Sequence, residues 1–212
     1  MRASDGGEPL KFARTDEQNV VSYDGGVELT VAPASAAPDP REPAPDAADL
    51  RANDWLQSRA PEIVALAKKG VGDAQDDAER MQRLEDFVRG YIRNKDLSVG
   101  YASALEVARK PEGDCTEHAV LLAALGRARG IATRVVDGVV YVDHYAGHDH
   151  VFVPHAWVQA YVGGRWRSYD AALRGFDAGH LALAFGDGDP WRFFAGFNAL
   201  GRMQVESVDA LH

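Results

Sequence analysis

Apolar and polar residues change period several times along the chain, and each change marks an element. Asn19-Val-Val-Ser-Tyr23 and Val27-Glu-Leu-Thr-Val31 alternate on either side of Asp24-Gly25-Gly26, which predicts a β-hairpin. From Ala32 to Ala48 the alternation stops. Pro33, Pro38, Pro40, Pro43 and Pro45 stand among alanine and charge, a composition that favours an extended spacer. Leu50, Trp55, Leu56, Ile63, Val64 and Leu66 predict a helix over 49–69, with Pro61 forcing a kink or a restart. Ala74, Ala78, Met81, Leu84, Phe87, Val88, Tyr91 and Ile92 keep a helical period over 73–93, and a short helix is expected over 103–108. A further helix begins near residue 115 and is closed by Gly126 and Gly130. Strands are read over 131–142, 151–162, 165–170 and 181–185, with a last one over 203–208. Gly163-Gly164 turns the second of these into the third, a hairpin signal. Residues 143–150 read as a polar loop. Helices followed by antiparallel strands give an α+β fold. Its domain lies over 49–212, preceded by a spacer over 32–48 and a hairpin over 1–31. Two strands are marginal alone, so the hairpin must pack on the domain or end one that is missing.

The candidate chemistry starts at the only cysteine. Cys115 follows Pro111, Gly113 and Asp114 and opens a helix in which Ala119, Leu122 and Ala123 share a face. A cysteine there faces unsatisfied N–H groups and the positive end of the helix dipole, both of which favour thiolate. A small buried core residue is the alternative. A thiol nucleophile needs a base, and the base needs a group to orient it. His155 lies on one predicted strand and Asp170 at the end of the next, so a hairpin can carry both to the helix. His118 shares a helical face with Cys115 and offers a rival dyad, though i,i+3 side chains align poorly for thiol–imidazole contact. A structural role is the better reading for it. His144, His148 and His150, with Asp143 and Asp149, raise a metal site. Their loop setting and the lack of further cysteines argue for a solvated segment instead. Trp157, Trp166 and Tyr169 are expected in the core beside these groups. Asp177 and His180 either support the site from behind or form a surface turn.

Gly113-Asp-Cys-Thr-Glu-His-Ala119, Gly130-Ile-Ala-Thr-Arg134, His155-Ala-Trp157 and Trp166-x-x-x-Asp170 resemble the core motifs of the bacterial transglutaminase-like superfamily. The resemblance covers residues 49–208. It implies a papain-like catalytic core, the nucleophile helix packed on an antiparallel sheet with the N-terminal helices around it. It also implies a triad of Cys115 as nucleophile, His155 as base and Asp170 as orienting acid, working through a thioester on a peptide or protein substrate without a metal or cofactor. The superfamily holds peptidases, amidases, protein-crosslinking acyl transferases and silent protein-binding members. The complete triad favours an enzyme, and a peptidase or amidase is expected. Tyr101, Ser103 and Arg109 lie upstream as alternatives for a second oxyanion donor. Where the family often has Asp-Pro-Thr, this chain has Asp170-Ala171-Ala172, so the turn after the aspartate is expected to differ.

Composition narrows the partners. The 212 residues carry 23 basic and 32 acidic side chains, a formal net charge of −9, and no dense Lys/Arg block, which argues against nucleic acid. A single cysteine excludes an intrachain disulfide. No membrane-length apolar run occurs, and residues 1–10 lack the apolar core of a signal peptide. The chain as it stands reads as cytoplasmic, and as extracytoplasmic if it is a fragment of a longer secreted or anchored protein.

Overall fold

The computed structural model describes residues 1–3, 11–32, 42–94, 101–191 and 203–209. Much of the spacer and the start of the segment leading to Tyr101 therefore lie outside the described residues. Four helices stand before the main strands: α1 (Pro61–Val71), α2 (Asp77–Tyr91), α3 (Ala104–Arg109) and α4 (Cys115–Ala128). Pro61 acts as a restart. It occupies the first turn of α1, where a missing N–H costs nothing, and residues 49–60 form turns ahead of it. Gly72, at φ 56°, ends α1 in a conformation that side chains resist. Asp76 caps α2 by accepting from the Glu79 N–H at 2.8 Å, and Ser103 with Glu106 forms a capping box on α3.

Helix α4 is the centre of the molecule. Val120, Leu121, Leu122, Ala123, Ala124 and Leu125 are all fully buried. An apolar surface on every side requires cover on every side. Helices α1, α2 and α3 pack against it on one flank and the sheet on the other. Burial of each of its leucines contributes about 1.5–3 kcal/mol, so this packing fixes where the N-terminus of α4 points.

The main sheet is antiparallel, in the order β6–β5–β4–β7, from β4 (Thr133–Tyr145), β5 (His148–Val162), β6 (Arg165–Tyr169) and β7 (His180–Gly186). The smaller sheet, in the order β2–β3–β1–β8, holds the hairpin β2 (Gln18–Tyr23) and β3 (Gly26–Val31) with the short strands β1 (Arg2–Ala3) and β8 (Met203–Gln204). The closing strand is thus shorter than the pattern over 203–208 suggests.

The histidine-rich segment is not a loop. Strands β4 and β5 continue through it as a ribbon, with His144 opposite Asp149, and reverse at Ala146-Gly147. Both turn residues have positive φ, 50° and 83°, the geometry that matches the twist of a two-residue hairpin. Polar residues there mark strands exposed on both faces, which alternation cannot reveal.

Alternation along β5 separates two packed faces. Ala156, Val158 and Ala160 face the large core around α4, whereas Trp157 joins Val136, Ala182 and Phe176 on the other side. The stretch leading into β2 crosses that second face. Gln18 exchanges hydrogen bonds with the Ala182 N–H and carbonyl, both at 2.9 Å. The Trp166 N–H donates to Asp16 at 2.8 Å and the Ser168 N–H to Glu17 at 2.9 Å, covering the free edge of β6. The end of the spacer is seated too. Glu42 pairs with the buried Arg134, whose guanidinium lies 4.0 Å from the Trp166 ring centre and 3.5 Å from that of Phe185.

Candidate active site

The N-terminus of α4 is built by side chains that satisfy its open N–H groups. Asp114 is the cap and accepts from the Thr116 N–H at 2.9 Å, while Glu117 reaches back to the Asp114 N–H at 2.9 Å. Glu117 is fully buried and also accepts from the Ala102 N–H at 2.9 Å, fastening the approach to α3 onto α4. Gly113 is required for this arrangement. Its φ is 137°, and a Cβ there would come within 2.3 Å of the Glu117 Cγ. The Gly-Asp-Cys-x-Glu pattern is therefore a description of how this helix begins, with Cys115 as its first residue.

Cys115 meets β5 at a gap in the sheet. Pairing between β5 and β6 begins at Val158 with Tyr169, so β6 does not cover the edge of β5 at residues 155–157. The Ala156 N–H donates to the Cys115 sulfur there. The adjacent residue, His155, is on the opposite face of the strand and is buried. Its ring stacks on Trp157, with centroids 6.1 Å apart and planes 24° apart.

Asp170 follows the last residue of β6 and is held on every side. Its Oδ2 accepts from His155 Nε2 at 2.8 Å and from His180 Nε2 at 3.0 Å. Its Oδ1 accepts from the N–H groups of Ala172 at 2.8 Å and Leu173 at 3.2 Å. Here the Asp-Ala-Ala sequence makes its own turn, closed by the aspartate side chain. From α2, Glu85 accepts the Asp170 N–H at 2.7 Å and Arg89 donates to the Asp170 carbonyl at 3.0 Å. Burial opposes ionisation of Asp170, but the two imidazole hydrogen bonds outweigh it and hold the carboxyl far below the usual range.

The thiol goes the other way. Burial pushes Cys115 up to about 12, the carboxylates of Asp114, Asp170 and Glu117 push in the same direction, and the Ala156 N–H only partly compensates. The helix terminus favours the thiolate, burial with three carboxylates nearby opposes it, and the proton needs an acceptor close by.

The remaining sequence candidates divide clearly. His118 Nδ1 bonds the Asp114 carbonyl at 2.5 Å, a role in the helix start. Ser103 caps α3, and Arg109 pairs with Glu62 at the surface. Tyr101 stands edge-on to Trp55 at 5.4 Å, with its hydroxyl pK raised by burial. Trp157 is beside His155 as expected, but Trp166 lies away from it, where its Nε1 donates to the Pro43 carbonyl at 3.0 Å. His144 and Asp149 meet at 2.7 Å on the exposed ribbon. Among the described residues, the donors that converge as a metal site would require are His155, Asp170 and His180, within 4.8 Å of one another. Hydrogen bonds between two imidazoles and a carboxylate account for that convergence. Glu85 and Arg89 were not singled out by the sequence, since a charged pair on an amphipathic helix looks like its solvated face.

With this geometry in place, comparison with known proteins is informative. The profile of the transglutaminase-like superfamily matches residues 64–171, half of the chain, and spans Cys115, His155 and Asp170. No curated protein matches the sequence. Among solved structures, a candidate cysteine protease from Cytophaga hutchinsonii shares the fold at TM-score 0.57 and 24% identity, over 66% of this chain and 46% of the other. The periplasmic domain of TgpA from Pseudomonas aeruginosa, bound to ethylmercury, aligns at TM-score 0.43 and 24% identity, over 58% and 46%. A candidate protease from Parabacteroides distasonis aligns at 0.40 and 17%, over 76% and 40%. The aligned part thus makes up less than half the length of each of these three proteins.

Proposed function

Because the chain belongs to the transglutaminase-like superfamily, we propose that it is a thiol enzyme cleaving an amide or peptide bond, with Cys115, His155 and Asp170 as its triad. The observation that carries this reading is the buried His155–Asp170 pair at 2.8 Å, with the Cys115 sulfur seated on the N–H of the residue next to His155. An ionised carboxylate only accepts, so His155 carries its proton on Nε2 toward Asp170. That leaves Nδ1 as the nitrogen that exchanges a proton with the thiol.

In the reaction, the Cys115 proton passes to His155 Nδ1 as the sulfur bonds the carbonyl carbon. Asp170 stabilises the imidazolium. The N–H of Cys115 stands at the first position of α4, where no intrahelical carbonyl can accept it, and is placed to meet the developing oxyanion. The C–N bond then breaks, and His155 returns the proton to the leaving amine. Water attacks the thioester, gives its proton to His155 and releases the acid and the free thiol. The raised Cys115 pK makes the base indispensable, since little thiolate forms unless the imidazole takes the proton.

The test is a peptide library with and without millimolar cadaverine, read by mass spectrometry for the native protein and Cys115→Ala. Hydrolysed products that vanish in the variant are expected. Amine adducts exceeding hydrolysed product would replace the hydrolase reading with crosslinking transfer. A Cys115→Ala protein as active as the native one would overturn the triad.

A further inference from the structure

Asp170 is asked to face two histidines with one oxygen. Oδ2 takes His155 Nε2 at 2.8 Å and His180 Nε2 at 3.0 Å, and all three side chains are buried. Orienting His155 needs only the first bond. The second comes from β7, two strands away from β5, and it is itself anchored. His180 Nδ1 lies 2.9 Å from Asp177 Oδ1, with the Asp177 N–H 3.2 Å from the same nitrogen. The His180 ring packs edge-on against Trp157 at 5.2 Å and against Phe176 at 4.9 Å, and lies 5.6 Å from the His155 ring. Gly138 permits this. It lies on β4 directly opposite His155, and its missing side chain leaves the space that Trp157 occupies.

We propose that His180 is a positioning residue of the active centre, locking Asp170 onto His155 and linking that pair to Asp177 at the surface. This rests on the triad reading and deepens it. Because the carboxylate only accepts, His180 must carry a proton on Nε2, as His155 does. Asp170 cannot rotate away from His155 without also breaking the His180 bond and the two turn bonds on Oδ1. Its orientation is thus fixed before substrate arrives.

The charged and titratable groups facing His180 are Asp170 from the end of β6, Asp177 from the turn before β7, and His155 from β5. Burial lowers the pK of His180, but the two carboxylates prevail and raise it overall. Once protonated, His180 places a positive charge on a ring 5.6 Å from that of His155 and opposes protonation of the triad. Removing it therefore raises the pK of the catalytic group and moves the acid limb of the rate profile to higher pH.

The test compares native protein with His180→Ala, His180→Gln and Asp177→Asn, using a peptide cleaved by the native enzyme. His180→Ala is expected to lower kcat roughly 10- to 100-fold with KM unchanged. His180→Gln, which keeps an N–H donor, should recover most of kcat yet shift the acid limb of kcat/KM upward by about 0.5–2 pH units. Asp177→Asn, at an exposed side chain, should keep the native melting temperature and shift the limb less than His180→Gln does, because loss of its negative charge offsets the weakened protonation of His180. An unshifted limb in both of these variants, or a loss confined to KM, overturns the proposal even if His180→Ala does not fold. Activity lost on dialysis with EDTA and regained with zinc would make the three side chains ligands, and also overturns it. Cys115→Ala run in parallel separates the two ideas. If it is inactive while the His180 variants are unaltered, only the role of His180 fails; if it stays active, the triad itself fails.

Discussion

Gly138→Ala tests how tightly the sheet and the active centre are joined. Gly138 lies mid-way along β4, opposite His155, beside a register shift in the β4–β7 pairing. A Cβ at that position would stand 2.3 Å from the Leu181 carbonyl oxygen and 2.6 Å from the Trp157 ring. Ordinary contacts lie near 3.5 Å, so an opening of roughly 1 Å is needed. Neither neighbour yields easily: one is backbone of β7, and the other is a 2% exposed indole stacked on His155. Overpacking of this kind costs about 1–3 kcal/mol. At about 2–4 °C per kcal/mol for a chain of this size, the melting temperature should fall by roughly 2–12 °C. Activity at a temperature where the variant remains folded should fall further than stability explains, because the displaced indole moves both His155 and His180. Gly90→Ala is the control. It sits on the exposed side of α2 with nothing within 4 Å, so alanine should stabilise by about 0.5–1 kcal/mol. Differential scanning fluorimetry and initial rates on both variants decide the matter. A Gly138→Ala protein that melts with the native one and retains full activity would refute the reasoning.

Two further predictions concern the thiol and its supports. Iodoacetamide should alkylate Cys115 in His155→Ala at least about tenfold more slowly than in the native protein at pH 7, because burial leaves the thiol at about 12 unless the imidazole takes its proton; equal rates, measured by intact mass, would show that the helix terminus suffices. Glu85→Ala should cost about 1–3 kcal/mol by leaving the Asp170 N–H without its acceptor, and should lower kcat as the turn carrying Asp170 loosens. Glu85→Gln, which keeps an acceptor, should be milder in both, and a Glu85→Ala protein as stable and as fast as native would remove α2 from the site.

Elements governed by local rules were legible from the sequence. The start of α4 after Gly113-Asp114, the break at Pro61 and the hairpin at Gly163-Gly164 follow from short-range steric and hydrogen-bonding preferences that any reader of the chain can apply, whereas the expected helix over 73–93 ran past its Asp76 cap. The nucleophile helix was legible for the same reason, since Gly113, Asp114 and Glu117 build its first turn among themselves. The ribbon through His144 and His148 was missed because strands exposed on both faces carry no apolar alternation. Glu85 was missed because its burial depends on β6 arriving beside α2, which no helical period encodes. The tertiary structure alone decided how the chemistry is assembled. Cys115 comes from the α4 side of the sheet while His155 stands on the other face of β5, and the sulfur reaches the strand at Ala156 because β6 stops short and leaves that edge open. His180 reaches Asp170 only because β4 carries a glycine where a side chain would have blocked Trp157. The thiol's surroundings were decided the same way: position on the helix argues for thiolate, while burial among carboxylates, a property of the folded whole, pushes the other way.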